Sequence, residues 1–595
     1  MMKGTKRPST SPNDDREKKK KKKLQIRLNE RTSLTCIEHF SNELFYEIFD
    51  YLDGIDIYNT FTDLNYCFHQ ILTSPSLLLK IKLNDWESNK RFPIKYKHFL
   101  QMNKHQIFSL SLSKSTSHGL FFPDFTITSS FIRLQSLSIE GIQLNLLISL
   151  LLKLTRLPCL FSLTINGLNT FHNLTNIYRL IYALPKLKYN KFCYHGDHSF
   201  TSLSKAKEKH FSPLEYLILD HPCTFQELFS LISYTPHLHR LTFLHKWFIH
   251  DENFNQISSI DLPYLSHLTV NSYYGTFDDL QIFISKIHCK LTIFNLFIVS
   301  PDITFLSGDR WERFLIQYLP HLVEFSFKYS LSFAEIQENV DFDRNMQNQF
   351  HSSFWIQQNW ILDVEIDFNA IVYSIKPFWK HFNRNLQWFS QQQDYSMELS
   401  NKLSKSTRLV IIYELFNDNM DDLLSYIDHV FNITDIYHLE ILEDISFAEL
   451  TEILSVFHQL HSLQLSTFSS KVKKCTLNED ILCYITKKQR NSIKQLKLMR
   501  LRKTDEFDFL MKLFPRLIHL KINDITHLNV KQFVQQMINQ MNMKSHRYLR
   551  SICFRISTMT NDLFEELKQI INQKRIFSCF TIQWRSNEIY IESKE

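Results

Sequence analysis

The chain has 595 residues, of which 44% are hydrophobic, 14% aromatic and 22% charged, so it can bury a large core and is neither disordered overall nor collagen-like. The formal net charge is +7, and much of it comes from the first 35 residues. The remaining body is close to neutral and has no global electrostatic reason to bind nucleic acid.

Glycine and cysteine exclude several kinds of site. Only eight glycines occur, and no two stand closer than 22 residues apart. Phosphate-binding loops and the nucleophile elbow need clustered glycines, which argues against nucleotide-dependent and serine-hydrolase chemistry. The ten cysteines include no CxxC pair and read as reduced thiols. No secretory signal is present, and the most apolar window, 144–163, is interrupted by Lys153 and Arg156, which indicates a soluble intracellular protein.

Residues 1–35 are predicted to form a disordered basic tail, because they contain almost no apolar residues before Leu24. Two basic clusters lie ten residues apart, which is the spacing of a bipartite nuclear import signal. The signal residues would be Lys6, Arg7, Lys18, Lys19, Lys20, Lys21, Lys22 and Lys23. The alternative is a solvated charge run that touches RNA weakly. We therefore expect the protein in the nucleus, the cytoplasm or both.

Residues 36–82 are predicted to form a small helical module. Leu44, Ile48, Phe49 and Leu52 recur at helical spacing. Ser41 is the expected cap of this helix, Gly54 its expected stop, and Asp56 the expected cap of a second helix. A third helix should contain Ile71 and Leu72 and close before Pro75. Three short helices make a very small core, of a size that often depends on a partner for stability.

The residue order of this module resembles the F-box family. The matching order is Phe40-Ser41-x-Glu43-Leu44-x3-Ile48-Phe49-x-Tyr51-Leu52-x3-Asp56-Ile57, then Leu64-Asn65-x2-Phe68-x3-Leu72 and Ser74-Pro75. The family usually opens with Leu-Pro, where this chain has Phe40-Ser41, and often ends with a Trp that is missing here.

The resemblance implies that an apolar helical face docks onto the small adaptor subunit of a cullin-RING (SCF-type) ubiquitin ligase. The implied contact residues are Phe40, Leu44, Ile48, Phe49, Leu52, Leu64 and Phe68. The alternative is that these side chains fill the core of a small helical domain.

After a linker helix at 83–106, the motif L-x-x-L-x-L recurs along the chain. It begins at Ile107, Leu134, Leu160, Leu187, Leu214, Leu238, Leu265, Leu291 and Leu322, and again at Ile436, Leu460, Ile493, Leu517 and Leu549. A period of 20–29 residues with this motif is typical of leucine-rich repeats. We predict an α/β protein in which repeats occupy 107–344 and 411–595 of a solenoid. Residues 345–410 form an irregular insertion, whose aromatic run 353–379 reads as strand-like.

Two features support the repeats. Proline precedes many motifs, where it can end a helix before a strand; these are Pro158, Pro185, Pro213, Pro236, Pro263, Pro320 and Pro515. The third, fifth and seventh motif residues are mostly polar, as in Ser136, Ser138 and Glu140, which predicts that they line an open face while the fourth and sixth enter the core. The repeats are irregular, because the usual Asn or Cys is replaced by residues such as Ile142 and Ile525.

The sequence contains two clusters of residue types that can bind a metal ion. Cys193, His195, Asp197 and His198 lie within six residues, but ligands so crowded in one loop rarely complete a tetrahedral site, so an ordinary loop is the favoured interpretation. A second cluster, interpreted as surface histidines, comprises His237, His239, His245 and His250. We therefore expect no metal site and no cofactor.

Late in the repeats the open-face positions become basic. The candidate substrate-binding residues are Lys497, His519, Lys521 and Arg555, with Arg500, Arg502 and Lys503 on the connecting edge. Such a patch could receive an acidic or phosphorylated segment. The favoured alternative is that these side chains simply solvate the strand face.

The whole chain resembles an F-box protein with leucine-rich repeats. The resemblance implies a non-catalytic substrate receptor that holds an unknown substrate protein beside the ubiquitin-transfer machinery, with no membrane partner. The runner-up is a nuclear interaction scaffold that acts outside a ligase. Two further readings are an RNA-binding solenoid steered by the tail and an enzyme without a recognisable motif.

Overall fold

The computed structural model describes residues 40–83, 94–113, 127–167, 173–194, 201–207, 210–245, 257–338, 347–367, 369–377, 407–412, 420–468, 486–525, 528–541, 548–556, 560–573, 580–585 and 587–593. The chain divides into two compact units, Met1–Leu168 and Asn169–Glu595. The predicted tail and its import signal lie outside the described residues. No helix among the described residues is long and apolar enough to span a membrane.

Unit 1 combines five helices of the described residues with a parallel sheet. Its helices are α1 (Asn42–Phe49), α2 (Gly54–Phe61), α3 (Tyr66–Thr73), α4 (Ile94–Met102) and α5 (Leu144–Leu154). Its strands are β1 (Leu79–Leu83), β2 (Ile107–Leu112), β3 (Ser136–Ile142) and β4 (Ser162–Gly167). They pair in chain order, and every pair is parallel. Strand β1 lies almost entirely within the predicted helical module 36–82, and only its last residue, Leu83, falls in the predicted linker 83–106, which contains helix α4.

The helix boundaries of the small module differ from those that the sequence predicts. Helix α1 ends at Phe49, and Asp53, not Asp56, caps α2 by accepting a hydrogen bond from the Ile55 N–H at 2.8 Å. Gly54 is the first residue of α2 and not a stop for α1. A Cβ at Gly54 would lie 3.2 Å from the Leu79 Cβ. The glycine therefore lets α2 approach strand β1 closely.

Unit 2 is larger and continues the alternation of strands and helices. Its helices are α6 (Thr175–Tyr182), α7 (Phe225–Ile232), α8 (Phe277–Ser285), α9 (Gly308–Tyr318), α10 (Phe333–Glu338), α11 (Ser353–Gln358), α12 (Met420–Phe431), α13 (Phe447–Val456), α14 (Lys487–Ser492), α15 (Thr504–Leu513), α16 (Val530–Met541) and α17 (Asn561–Gln573). Short 3₁₀ helices cover Ile303–Leu306 and Gln349–His351.

The strands of unit 2 form one long sheet and one short pair. They are β5 (Tyr189–Cys193), β6 (Tyr216–Cys223), β7 (Arg240–His245), β8 (Ile260–Asp261), β9 (His267–Tyr273), β10 (Ile287–His288), β11 (Ile293–Val299), β12 (Glu324–Ser332), β13 (Trp360–Ile366), β14 (Ala370–Pro377), β15 (Thr407–Ile411), β16 (Ile436–Ile445), β17 (Ser462–Phe468), β18 (Gln495–Leu498), β19 (His519–Ile522), β20 (Ser551–Arg555), β21 (Phe580–Arg585) and β22 (Glu588–Ser593). β8 and β10 pair separately.

Most pairs of the long sheet are parallel. From β5 the order runs β6, β7, β9, β11 and β12 in parallel. From β13 it runs β15, β16, β17, β18, β19 and β20, again in parallel. The terminal hairpin of β21 and β22 closes the row, with β22 antiparallel to β20. The predicted mixed α/β class is confirmed.

Every L-x-x-L-x-L segment of the sequence contains a strand. The third motif residue begins the strand in nearly all cases, and the fourth and sixth residues are buried, as in the pattern of His267–Tyr273. The third and fifth motif residues of this segment, His267 and Thr269, are partly exposed. Leucines and isoleucines on the other side fill the core against the helices. The predicted alternation of a polar face and an apolar face is confirmed.

The predicted insertion contributes a β-hairpin to the sheet. β13 and β14 are antiparallel, and β14 also pairs antiparallel with β12, so the later strand of the hairpin lies between β12 and β13. Aromatic side chains hold this region together: the Trp311 and Phe327 rings are stacked at 5.2 Å, and Phe350 contacts Trp355 at 5.1 Å. The predicted strand-like character is confirmed for Trp360–Ile366 and Ala370–Pro377, whereas Ser353–Gln358 is helical.

Replacing Gly308 with alanine should destabilise unit 2. A Cβ at this position would lie 2.8 Å from the Gln349 carbonyl carbon and 2.9 Å from the Phe350 nitrogen. These are backbone atoms that cannot rotate away, and overpacking costs about 1–3 kcal/mol. Alanine regains at most about 1 kcal/mol of helix propensity, so the net effect is a loss. Urea unfolding measures it. The exposed Gln317→Ala on the same helix should change stability little, and an unchanged midpoint for Gly308→Ala would contradict the packing.

Candidate functional site

The small module of unit 1 has an aromatic core. Phe45, Phe49 and Phe68 are almost fully buried. The Phe45 and Phe68 rings lie 5.0 Å apart in an edge-to-face contact, and Phe61 lies 4.9 Å from Phe68 and 5.1 Å from Phe49. Phe49 and Phe68 were predicted to contact an adaptor. Their placement corrects that prediction, because a side chain packed inside the module cannot present its ring to a partner.

The other five predicted contact residues lie on the surface, which we call the exposed helical face. Their exposed fractions are 46% for Phe40, 46% for Leu44, 40% for Ile48, 39% for Leu52 and 58% for Leu64. The first four recur every four residues, so they follow one side of α1 and its flanking turns. A row of exposed apolar side chains along one side of a helix is a candidate interaction surface.

Two further aromatic residues of the module are strongly exposed, although neither was predicted to contact a partner. Tyr51 is 91% exposed and Tyr66 is 74% exposed. Tyr51 follows Ile48 by three residues, and its N–H donates to the Ile48 carbonyl at 3.1 Å. The i, i+3 spacing could have indicated it, whereas Tyr66 stands at the start of α3 without a comparable signal. Tyrosine is enriched at protein interfaces.

A second candidate surface lies on the late strands of unit 2. Strand register places Glu440, Gln464, Lys497 and Lys521 side by side on four successive parallel strands. Arg408 forms an ion pair with Glu440, and the Lys521 Nζ lies 3.2 Å from the Glu588 Oε1. We call the six residues the charged strand face; they are Arg408, Glu440, Gln464, Lys497, Lys521 and Glu588.

The predicted basic patch is thus electrically mixed. Lys497 and Lys521 are neighbours, as expected, but Glu440 and Glu588 accompany them, and sequence reasoning missed both acids. Glu588 lies on the terminal hairpin, opposite Arg555 in the register of β20 and β22. Only strand pairing shows this proximity, because Glu588 stands 67 residues after Lys521 in the sequence.

His519 contributes no charge at neutral pH. Burial lowers its pKa to about 4, and the neighbouring Arg550 acts in the same direction. Its Nδ1 lies 2.7 Å from the Ser551 hydroxyl oxygen. The imidazole therefore acts as a neutral hydrogen-bonding group, which corrects its predicted role as a cation.

Among the described residues of the charged strand face, Lys497 has the fewest charge partners. Its side chain is half-buried, and burial lowers its pKa; Lys521 and Arg408 act in the same direction, while Glu440 opposes them. With the residues that the structure describes, the ammonium group of Lys497 forms no hydrogen bond and no ion pair within 4 Å. Arg500 and Arg502, on the connecting edge, do have acidic partners. A guanidinium nitrogen of Arg500 lies 3.0 Å from an Asp524 carboxylate oxygen, and one of Arg502 lies 3.1 Å from an Asp444 carboxylate oxygen.

The two clusters of metal-ligating residue types lie only partly within the described residues. Cys193 is buried, whereas His195, Asp197, His198 and His250 lie outside the described residues. Within the described ranges, no group of three or more His, Cys, Asp or Glu side chains could hold a metal ion. His245 is 8% exposed, so its predicted surface position is wrong: it packs against Phe225 at 4.6 Å and Tyr273 at 4.9 Å.

Stability should fall in mild acid because of buried histidines. Burial lowers the pKa of His245 and of His429 to about 4, against an ordinary value of 6.5. Between these values the unfolded chain binds protons that the folded chain does not, so the stabilisation is complete above about pH 6.5 and is lost progressively towards pH 4.

Urea midpoints at pH 7, 5.5 and 4.5 check this expectation. His245→Phe removes one titrating group from an aromatic environment and should make the decline shallower. A decline as steep as that of the intact chain would exclude His245 as a cause.

Comparison with known proteins identifies no family for this chain. No protein-family model matches it, and no curated protein matches it. The functional interpretation therefore depends on the two surfaces described above.

Proposed function

We propose that the chain is the substrate-recognition subunit of a cullin-RING ubiquitin ligase. In this proposal the exposed helical face binds the small adaptor subunit, and a leucine-rich-repeat solenoid presents the charged strand face to a substrate protein. The observation that carries it is the row of Phe40, Leu44, Ile48 and Leu52, which stays exposed above a buried aromatic core in the segment that resembles an F-box.

The repeat part of the proposal has separate support. Fourteen L-x-x-L-x-L segments contain strands, and their neighbours pair in parallel at intervals typical of leucine-rich repeats. Their partly exposed third and fifth residues are mostly polar, which suits a face that binds another protein. Residues 1–35 would add nuclear import through Lys6, Arg7 and Lys18–Lys23.

In this mechanism the chain would hold its partners close together and would carry out no chemical step itself. A substrate held on the strand face while the adaptor and cullin bring a charged ubiquitin-conjugating enzyme nearby turns ubiquitin transfer into an effectively intramolecular step. The chain would supply binding energy and orientation only.

Affinity purification of the intact, tagged chain tests the proposal. The adaptor and the cullin should co-purify in comparable amounts, and the purified chain should bind the isolated adaptor directly. If both are missing while other nuclear proteins are retained, the ligase proposal fails. The chain would then be an interaction scaffold, a reading that the Phe40-Ser41 departure from the family pattern favours.

A further inference from the structure

Charge pairing on the charged strand face leaves one cation over. Arg408 is matched by Glu440, which is 6% exposed and also accepts a hydrogen bond from Gln464. Lys521 is matched by Glu588, whose carboxylate accepts a further hydrogen bond from the Tyr590 hydroxyl. Of the three cations of this face, Lys497 alone lacks an acidic partner among the residues that the structure describes.

The position of Lys497 limits where a counter-charge can come from. The strands on either side place Gln464 and Lys521 at its register, Gln495 precedes it by two residues on its own strand, and Met499 follows the end of that strand. These neighbours are two neutral amides, a thioether and a second cation. Burial lowers the pKa of Lys497, so its charge is held at a cost that a bound anion would offset.

The amount of unmatched charge indicates the kind of anion. Arg408, Lys497 and Lys521 face Glu440 and Glu588, which leaves one positive charge, and His519 adds none. Arg555 is exposed and lies two strands away, or about 10 Å at the usual strand spacing. One carboxylate balances a single positive charge. A phosphate monoester carries about −1.5 to −2 at neutral pH and would leave excess negative charge on this face.

We propose that Lys497 binds a single aspartate or glutamate side chain of an extended substrate segment. The inference rests on the proposed function, in that the strand face receives a substrate. Gln464 lies beside the lysine on the neighbouring strand, and Gln495 lies two residues back on the same strand. The Gln464 amide nitrogen donates to Glu440, so its carbonyl oxygen and the Gln495 amide are the groups offered to the peptide backbone next to the acidic residue, which favours an internal side chain over a chain terminus.

Peptide selection on the full-length chain tests this proposal. A display library of random peptides, each fused at its C-terminus so that no terminal carboxylate is free, is selected against the intact chain. Selected peptides should share an acidic residue at one position. A synthetic peptide with glutamate there should bind about ten-fold more tightly than its glutamine version, as expected for a charge-assisted hydrogen bond worth about 1.4 kcal/mol or more. Phosphoserine at that position should not improve on glutamate.

Three variants locate the effect. Lys497→Met should bring the glutamate and glutamine peptides to similar affinity, whereas Lys497→Arg should keep their difference. Lys512→Met changes an exposed lysine on helix α15 and should also keep it.

Selection without acidic enrichment, a preference for phosphoserine, or no selected peptide at all would each overturn the proposal. Adaptor co-purification is measured on the same preparation, so that failure of the ligase assignment is recognised separately from failure of the lysine site.

Discussion

A chain that carries Leu44→Asp and Ile48→Asp should lose the adaptor and the cullin on affinity purification and keep its thermal stability. Both side chains are exposed by at least 40%, so the folded module tolerates carboxylates there. In an interface the same carboxylates would be buried without partners, which costs several kcal/mol. Direct titration of the adaptor should show binding weakened by about 100-fold or more, since each 1.4 kcal/mol is tenfold.

Phe45→Ala provides the contrasting variant, because Phe45 neighbours Leu44 in the sequence but is 1% exposed and packs on Phe68. It should lower the stability of the module by about 3–5 kcal/mol and lose adaptor binding only through unfolding. Glu47→Gln, an exposed polar position on the same helix, should change neither property. Full adaptor binding by the double aspartate variant would remove the exposed helical face as the docking site.

Glu440→Ala should be among the most destabilising single substitutions in unit 2. Glu440 is 6% exposed, pairs with Arg408 and accepts a hydrogen bond from Gln464. Without it, the partly buried Arg408 guanidinium and the nearby Lys497 ammonium face each other without an acid. Removing one member of a buried pair costs about 3–5 kcal/mol, and we expect the lower end because Arg408 keeps 24% of its side-chain exposure. Urea unfolding gives the free energy.

The double variant Arg408→Met with Glu440→Leu separates charge from packing. It removes both members of the pair and restores apolar volume, so it should be more stable than Glu440→Ala alone. If Glu440→Ala unfolds within about 0.5 kcal/mol of the intact chain, as ordinary surface substitutions do, the ion pair contributes nothing measurable.

Strands and helices were well predicted because their signals are local. The L-x-x-L-x-L spacing identified β2, β3 and β4 in unit 1, and in unit 2 β5, β6, β7, β9, β11, β12 and β16 to β20, since alternation of side chains across a strand is a property of a few consecutive residues. The module helices were also identified, and Ser41 is the N-cap of α1 as predicted, but the cap of α2 was misplaced by three residues. Asp53 and Gly54 have their roles because α2 packs closely on β1, a contact between segments 25 residues apart.

The order of the strands in the insertion was beyond local reasoning. The aromatic run predicted strands, yet nothing in it indicated that β14 would pair with both β12 and β13. An antiparallel hairpin can enter a parallel sheet on either strand, and the local sequence does not decide which; in the structure Trp360 of the hairpin packs against Phe325 and Trp355.

By itself, the sequence determined the strands of the L-x-x-L-x-L segments and the three module helices, which residues of those strands face the core, and which short region resembles an F-box. The tertiary structure alone decided that Phe49 and Phe68 are buried while Leu44 and Ile48 are exposed, and that Glu440 and Glu588 offset part of the charge of a predicted basic patch. The physical reason is the distance along the chain over which each kind of signal acts. Periodicity depends on neighbours along the chain, whereas burial and charge pairing depend on strands that meet in space from distant parts of it.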